Sequence, residues 1–443
     1  MALPVITKLL VANRGEIARR VFRTCRELGI ATVAVFSDAD ADAWHTHDAD
    51  EAVRLPGSSP ALTYLDAKLV IEAARRTGAD AVHPGYGFLS ENADFARACT
   101  DAGLVFVGPG PEAISAMGSK LAAKRLMADA GVPVLPGGET TGLDAAQLSA
   151  LAAEVGYPLM VKASAGGGGR GMRIVGAQAE LAEAVQSAAR EATSAFGDGT
   201  VFLERYVQRP RHIEIQVMAD THGNVVSLFE RDCSVQRRHQ KVIEEAPSPV
   251  VDEGLRSRMS EAAVAAAAAV GYVGAGTVEF VVDSDGEFAF LEMNTRLQVE
   301  HPVTEMVTGL DLVRLQLLVA MGQALPPESL APVLSGHAVE ARLYAEDPTE
   351  GYLPRTGTLN RLRIPELPGL RLDSAVRDGS EVGHHYDPML AKVIAWAPSR
   401  AEALAKLSAA LAGARIHGLV TNRELLVRVL RHPEFVAGQA DTG

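Results

Sequence analysis

Residues 277–305 read TVEFVVDSDGEFAFLEMNTRLQVEHPVTE and carry the densest set of groups able to do chemistry. A two-residue turn at Asp285-Gly286 between two apolar, alternating runs predicts a β-hairpin. That turn sets Glu279 directly opposite Glu292, with Cβ atoms about 4.5–5.5 Å apart. Two carboxylates so close repel each other unless a cation lies between them. Asn294 is two residues beyond Glu292 and shares its face in an extended strand. Two carboxylates and an amide oxygen are hard oxygen donors, suited to Mg²⁺ (or Mn²⁺) and to the nucleotide phosphates that such an ion usually keeps as ligands. The flanks VEFVV and FAFLEM are too apolar for a solvated charged edge. The reading depends on register, because a one-residue bulge would turn one glutamate to the other face.

The parity runs on through Arg296, Gln298 and Glu300. If the chain stays extended, a cation, an amide and an acid line the same side, a site for a small anion beside a candidate base. RRHQK at 237–241 fits a loop of that anion site better than a nucleic-acid patch, given the acidity of the whole chain. VKASAGGGGRGMRIV at 161–175 adds Lys162 and four consecutive glycines. Gly166, Gly168 and Gly171 match G-x-G-x-x-G, but a strand-like GMRIV follows where that fingerprint needs a helix. No Gly-Lys-Ser/Thr closes a Walker-type loop. The glycines are expected at the tip of a mobile hairpin, rich in N–H donors, closing over a triphosphate. FLERYV at 202–207 would sit where this lid meets the body, with backbone groups free to read an adenine edge.

These groups need elements to hold them. Residues 5–115 alternate strand and helix: KLLVA, EIARRVFRTCRELG, ATVAVFS, LDAKLVIEAARRTG, DAVHPG, NADFARACTDAG, LVFVG. That order predicts a wound parallel sheet with the loops NRGE and HPGYGFLSEN at its carboxyl edge, where ligands bind. A helix, SKLAAKRLMADAG, leads into a small lid region at about 134–206. Long strands forming two antiparallel hairpins follow to 305. After a Pro-rich link come further strands and a closing helix, from 336 to 443. The net charge of −13 argues against nucleic-acid and membrane-surface binding. Three scattered cysteines fit a reducing, cytoplasmic setting, and Cys233 has no base at a recognisable spacing to make it a nucleophile. ALPVITKLLVA is read as a first strand, since Lys8 interrupts it.

The glycine lid, the paired carboxylates and the wound N-terminal sheet resemble the ATP-grasp ligases. LVANRGEIA, HPGYGFLSEN, ERDCSVQRRHQKVIEEAPSP, LEMNTRLQVEHPVTE and EARLYAEDP together resemble biotin carboxylase, in order and over essentially the whole chain. The resemblance implies an α/β and α+β fold. Its parts are an N-terminal domain (1–115), an ATP-grasp domain (116–330) with its lid, and a mixed-sheet C-terminal body (336–443). It implies that ATP phosphorylates bicarbonate to carboxyphosphate and that the carboxyl group passes to N1 of biotin, the first half-reaction of an acyl-CoA carboxylase such as those of fatty acid biosynthesis. Carried over by motif, Lys120, Lys162, Gly168, Gly169, Glu204, Arg205, Tyr206, Val207, His212 and His239 contact ATP. Glu279, Glu292 and Asn294 hold the metals. Lys241, Arg296, Gln298 and Val299 hold bicarbonate, and Glu300 takes its proton. Arg342 stabilises the biotin enolate and Tyr86 packs near the biotin ring. HHYDPM at 384–389 departs from the family with a second histidine where tyrosine is expected. No lysine is flanked by methionines, so biotin would come on a separate carrier protein or domain. A carboxyltransferase subunit would complete the system, and the family implies a homodimer or larger complex. The rival is another ATP-grasp carboxylate–amine ligase, against which TRLQVEH and Arg342 speak.

Overall fold

The computed structural model describes residues 5–164, 172–238 and 240–443. The glycine run, including Gly168 and Gly169, and His239 lie outside the described residues, so the roles implied for them stay expectations.

Five parallel strands form the N-terminal sheet: β1 (Lys8–Val11), β2 (Ala31–Ser37), β3 (Glu51–Leu55), β4 (Ala81–His83) and β5 (Val105–Phe106), in the order β3-β2-β1-β4-β5. The pattern of strands and helices predicts four of these and misses β3. EAVRL is short and puts Glu51, Ala52 and Arg54 on the surface, so β3 carries little apolar signal at the sheet edge. Strand order reverses between β1 and β4, and the loops after those two strands form the crevice where wound sheets bind ligands. Helix Gly15–Glu27 follows β1 and buries Ile17, Val21 and Phe22 against the sheet.

The lid is a four-stranded sheet of β6 (Gly137–Glu139), β7 (Leu159–Ala163), β8 (Arg173–Val175) and β9 (Val201–Arg205), ordered β6-β9-β7-β8. β7 and β8 pair antiparallel, with Val161 opposite Arg173, so the glycine run does connect the two arms of a hairpin. Helices Ala145–Val155 and Gln178–Phe196 pack on this sheet; the sequence pattern predicts only the second.

The body is one eight-stranded sheet. It begins β14-β13-β10-β11-β12-β15, where β10 is Arg211–Ala219, β11 Val225–Arg237, β12 Gln240–Ala246, β13 Gly274–Val282, β14 Phe288–Asn294 and β15 His337–Tyr344. Strands Met389–Ala397 and Leu370–Ser374 complete it. Every ladder between these eight strands is antiparallel, where a mixed sheet is expected; one isolated parallel bridge joins Val134 to Phe290 on β14. The C-terminal strands extend the sheet that carries the glutamates, which brings Arg342 on β15 into the same surface as Glu279 on β13. Helix Glu253–Ala269 packs its alanines (Ala262, Ala263, Ala266, Ala267) close under Ile213, Ile215, Val278 and Phe280, since small side chains let helix and sheet approach. No helix among the described residues is long and apolar enough to cross a membrane.

Candidate active site

Glu279 and Glu292 are directly opposite, as the hairpin predicts, but by a different route. The Asp283 N–H bonds to the Glu287 carbonyl, so the loop holds three residues, 284–286, not two. The Asp283 carboxylate accepts the N–H groups of Asp285 (2.9 Å) and Glu287 (3.0 Å), and Gly286 has φ 78°. That shifts the pairing by one residue, with Phe280 facing Phe290. A bulge at Leu291 then restores the register, and Glu279 meets Glu292.

The pair belongs to a longer row. Arg231 on β11 faces Glu214 on β10, Glu214 faces Glu279 on β13, and Glu279 faces Glu292 on β14. Side chains on these strands alternate, so His212, Glu214 and Gln216 share a polar face while Ile213, Ile215 and Val217 enter the core. Glu279 and Glu292, the outer pair of the row, line the floor of a cavity of about 710 Å³ between lid and body, with Glu214 and Arg231 buried beyond it. The lid wall carries Lys162 and the stretch Glu204, Arg205, Tyr206 and Val207. The floor carries His212, Lys241, Glu279, Glu292 and Asn294, with Lys120 beside them. Arg296, Gln298, Val299, Glu300 and Arg342 close the far end. β14 stops at Asn294, yet 296, 298 and 300 still turn to the cavity, while Leu297 is buried in the core.

Lys241 is the hub. Its Nζ donates to Glu214 (2.5 Å), Glu279 (2.9 Å) and Glu300 (2.6 Å). Burial alone would drive the proton off, but the three carboxylates outweigh it and hold Lys241 well above the ordinary lysine pKa. Burial would likewise raise Glu300; Lys241, Arg342 and Arg231 reverse this and keep it well below the carboxylate range. Glu279 behaves the same way, its burial outweighed by Lys241 and His212, and it also accepts from Asn294 Nδ2 (2.8 Å) and Gln298 Nε2 (2.7 Å). Glu292 goes up, through burial and the neighbouring Glu279, despite Lys120 at 3.8 Å. His212 Nε2 lies 2.9 Å from Glu279, which raises its pKa against the effect of burial. Lys162 of the lid and Lys124, on the helix Lys120–Asp129 that precedes it, both reach the Glu204 carboxylate. Burial lowers Lys162 to about 8.

Arg342 bridges two acids, its Nε donating to Glu244 (2.5 Å) and its Nη2 to Glu300 (2.9 Å). Arg296 donates to Asn294 Oδ1 (2.9 Å) and to Glu91 (2.9 Å), a residue of the HPGYGFLSEN loop. Glu91 thus ties that loop to Arg296. Tyr86 is absent from the cavity wall; its hydroxyl donates to Glu16, and its carbonyl accepts from Asn13 (2.7 Å). The backbone of FLERYV is also less free than expected. Arg205 and Tyr206 donate their N–H groups to the carbonyls of Pro136 (2.9 Å) and Pro158 (3.2 Å), because β9 is an inner strand of the lid. Cys233 is buried, and burial with Glu214 nearby pushes its thiol well up, away from the thiolate a nucleophile needs. His384 and His385 are exposed, ring against ring at 4.2 Å, while Tyr386 beside them bonds Ser37 (2.6 Å).

Glu214, Arg231, Glu244 and Glu91 are site residues that sequence reasoning missed. The even-numbered polar residues of HIEIQV were a usable signal for Glu214. Arg231 and Glu244 are visible only once strands are paired.

A wound N-terminal sheet, a small antiparallel lid sheet and an antiparallel body with acids on its floor define an ATP-grasp architecture. Residues 119–328 match the profile described as carbamoyl-phosphate synthase L chain, ATP binding domain. Residues 5–114 and 340–443 match the biotin carboxylase N-terminal and C-terminal domains. The chain belongs to the biotin carboxylase family. It is 52% identical over 435 residues to a biotin carboxylase of Halalkalibacterium halodurans, covering 98% of this chain and 96% of that one. It is also 52% identical over 439 residues to the mitochondrial methylcrotonoyl-CoA carboxylase subunit alpha of Arabidopsis thaliana, covering 99% of this chain but 60% of that protein's length. Among solved structures it resembles a biotin carboxylase–β,γ-ATP complex from Campylobacter jejuni (TM-score 0.96, 45% identity, 99% of this chain and 98% of that chain). It also resembles the biotin carboxylase domain of Hydrogenobacter thermophilus 2-oxoglutarate carboxylase in complex with MgADP, ADP and bicarbonate (TM-score 0.95, 44% identity, 99% and 97%).

Proposed function

We propose that this chain carboxylates biotin on a carrier protein or domain, using ATP and bicarbonate, as the first half-reaction of an acyl-CoA carboxylase. The observation that carries the reading is the convergence of Lys241, Arg296, Arg342 and Glu300 at one end of a cavity whose floor holds the Glu279–Glu292 pair. Bicarbonate would lie against Lys241, Arg296, Gln298 and the Val299 backbone. Glu300, anionic under the influence of Lys241 and Arg342, accepts its proton, and the bicarbonate oxygen so freed attacks the γ-phosphorus. The bond to ADP breaks and carboxyphosphate forms. Lys241 and Arg342 both bond Glu300, and one of them turning to the substrate anion would make Glu300 a stronger base. Lys241, already shared among three carboxylates, can make that exchange with the smallest movement.

Phosphoryl transfer needs positioning and charge neutralisation more than covalent help. Lys120, Lys162 and His212 supply part of this, with Gly168, Gly169 and His239 carried as expectations. Glu204 to Val207 would seat the adenine. Glu279, Glu292 and Asn294 offer oxygen donors on one floor, a donor set that fits Mg²⁺ (or Mn²⁺), which when bound neutralises phosphate charge. Asn294 already accepts from Arg296, so it reaches an ion only through its second lone pair. Carboxyphosphate hydrolyses readily, which gives the lid its use. Arg342 beside the ureido oxygen of biotin stabilises the charge that develops as N1 attacks. In this reading 1–115, 116–330 (lid about 134–206) and 336–443 are its three domains, and a carboxyltransferase subunit and a second copy of the chain are its partners.

The test is phosphate release from ATP with bicarbonate and free biotin added or omitted. Release should require bicarbonate and rise with biotin; release indifferent to both would refute the reading. Glu300→Gln should bind nucleotide nearly as tightly as the parent and lose turnover. A variant that loses nucleotide affinity instead would remove Glu300 from its role.

A further inference from the structure

Glu244 on β12 and Glu340 on β15 are paired directly across the ladder, and both are fully buried. Directly opposed carboxyl-bearing side chains have Cβ atoms about 5 Å apart. Arg342 lies two residues beyond Glu340 on the same face, where it bonds Glu244 and Glu300. Helix His301–Thr308 roofs this face with Val303 and Val307. Among the described residues, nothing donates to Glu244 Oε2 or to either oxygen of Glu340. Two ionised carboxylates so placed would repel each other without compensation. One proton between them turns the repulsion into a donor–acceptor pair. Glu244 already balances the Arg342 guanidinium, so the proton belongs on Glu340.

We propose that Glu340 is a neutral carboxylic acid whose O–H is directed at Glu244, making it a positioning residue for Arg342. This inference rests on the proposed function, since it concerns the arginine assigned to biotin.

Of the charged groups facing the pair, Lys392 and Arg342 oppose a proton on Glu340, but each is committed to other partners. On the neighbouring strand, Lys392 commits its Nζ to the Val299 carbonyl (2.6 Å) and to Glu16 (3.2 Å). From the roofing helix, His301 bonds the Gln298 carbonyl (2.7 Å) and Glu305 pairs with Arg20 and Arg371. Lys241, Glu300 and Tyr344 complete the surroundings. Burial pushes Glu340 well above the carboxylate range, with Glu244 adding to the effect and Lys392 opposing it.

Infrared difference spectra of ¹³C-glutamate protein against Glu340→Gln at about pH 8 should show the carbonyl band of a protonated carboxyl in the parent only. Glu340→Ala should lower the biotin-dependent rate about tenfold, and Glu340→Gln, which can still donate to Glu244, should recover it to within about threefold. The parent rate should fall as rising pH removes the Glu340 proton, and Glu340→Gln should lack that fall. A parent without the protonated band, or a Gln variant as impaired as the Ala variant, overturns the proposal. If Glu340→Ala does not fold, the difference spectrum and the pH profile against Glu340→Gln decide. Loss of bicarbonate-dependent ATP cleavage in the parent would instead sink the functional reading and leave the carboxyl pair untouched.

Discussion

Replacing Arg231 by methionine tests the floor of the site most directly. Arg231 is fully buried and donates to Glu214 (2.5 Å), Gln216 (2.7 Å), Gln298 (2.7 Å), Thr304 (2.9 Å) and Thr277 (3.1 Å). Charged hydrogen bonds are worth about 1.5–3 kcal/mol each, but the five do not sum. Glu214 keeps Lys241, while the threonine oxygens lose only a donor to a neutral hydroxyl. Methionine fills most of the volume, so the cavity penalty is small. The loss should be that of removing one partner from a buried ion pair, about 3–5 kcal/mol. The kinetic effect runs through Gln298, whose Oε1 is held by Arg231 while its Nε2 reaches Glu279 (2.7 Å). Freed from Arg231, the amide can turn over and present the wrong end to bicarbonate. The bicarbonate KM should rise about tenfold, or about 1.4 kcal/mol, with the ATP KM moving less than about threefold. Urea denaturation and phosphate release against each substrate supply the two readings. Arg231→Lys, which keeps the charge but not the fork, should fall between parent and Met variant and serves if the latter does not fold. Destabilisation below about 1 kcal/mol, or both KM values rising together, would refute the reasoning.

Glu305 accepts from Arg20 and Arg371, which outweigh its burial and keep its pKa below normal. Its contribution is therefore complete above the ordinary carboxylate pKa and lost as pH falls through the folded value, so Glu305→Gln should cost about 3 kcal/mol at neutral pH and progressively less below about pH 4, by urea denaturation. Lys392→Met releases the Val299 carbonyl and leaves Glu16 with Tyr86 but without its cation; bicarbonate-dependent turnover should drop about tenfold while calorimetric ATP affinity changes less than about threefold. Cys233 should resist alkylation in the native protein and label on unfolding, followed by mass spectrometry; rapid native labelling would contradict its burial.

What was legible in the sequence is what local periodicity encodes. The wound sheet, both long hairpins and the two arms around the glycines follow from patterns within about ten residues. β3 was invisible because an edge strand with a charged outer face lacks the apolar run that marks its neighbours. Glu91 belongs to the conspicuous HPGYGFLSEN loop, but nothing local says that it reaches Arg296. Arg231 is conspicuous in the sequence only as a flank of Cys233. Its five partners come from four other segments, so no window of sequence contains the site it organises.

The Glu279–Glu292 pairing shows how such long-range facts constrain each other. A two-residue turn was the wrong premise, and a straight ladder was wrong by one residue in the opposite sense, so the predicted partners met. The offset has a physical cause. At the loop, Asp283 captures two N–H groups and Gly286 takes the left-handed conformation, which fixes three loop residues. At the far end, Val278 and Phe280 must stay in the core, because a slip of one residue would trade them for Glu279. With both ends fixed, the extra residue has to be absorbed between them, and Leu291 bulges. The bulge sends two consecutive side chains, Leu291 and Glu292, to the cavity where a regular strand would send one. An apolar surface and a carboxylate thereby stand side by side facing the lid's Met160 and Lys162, a combination that a base and a phosphate chain would both require.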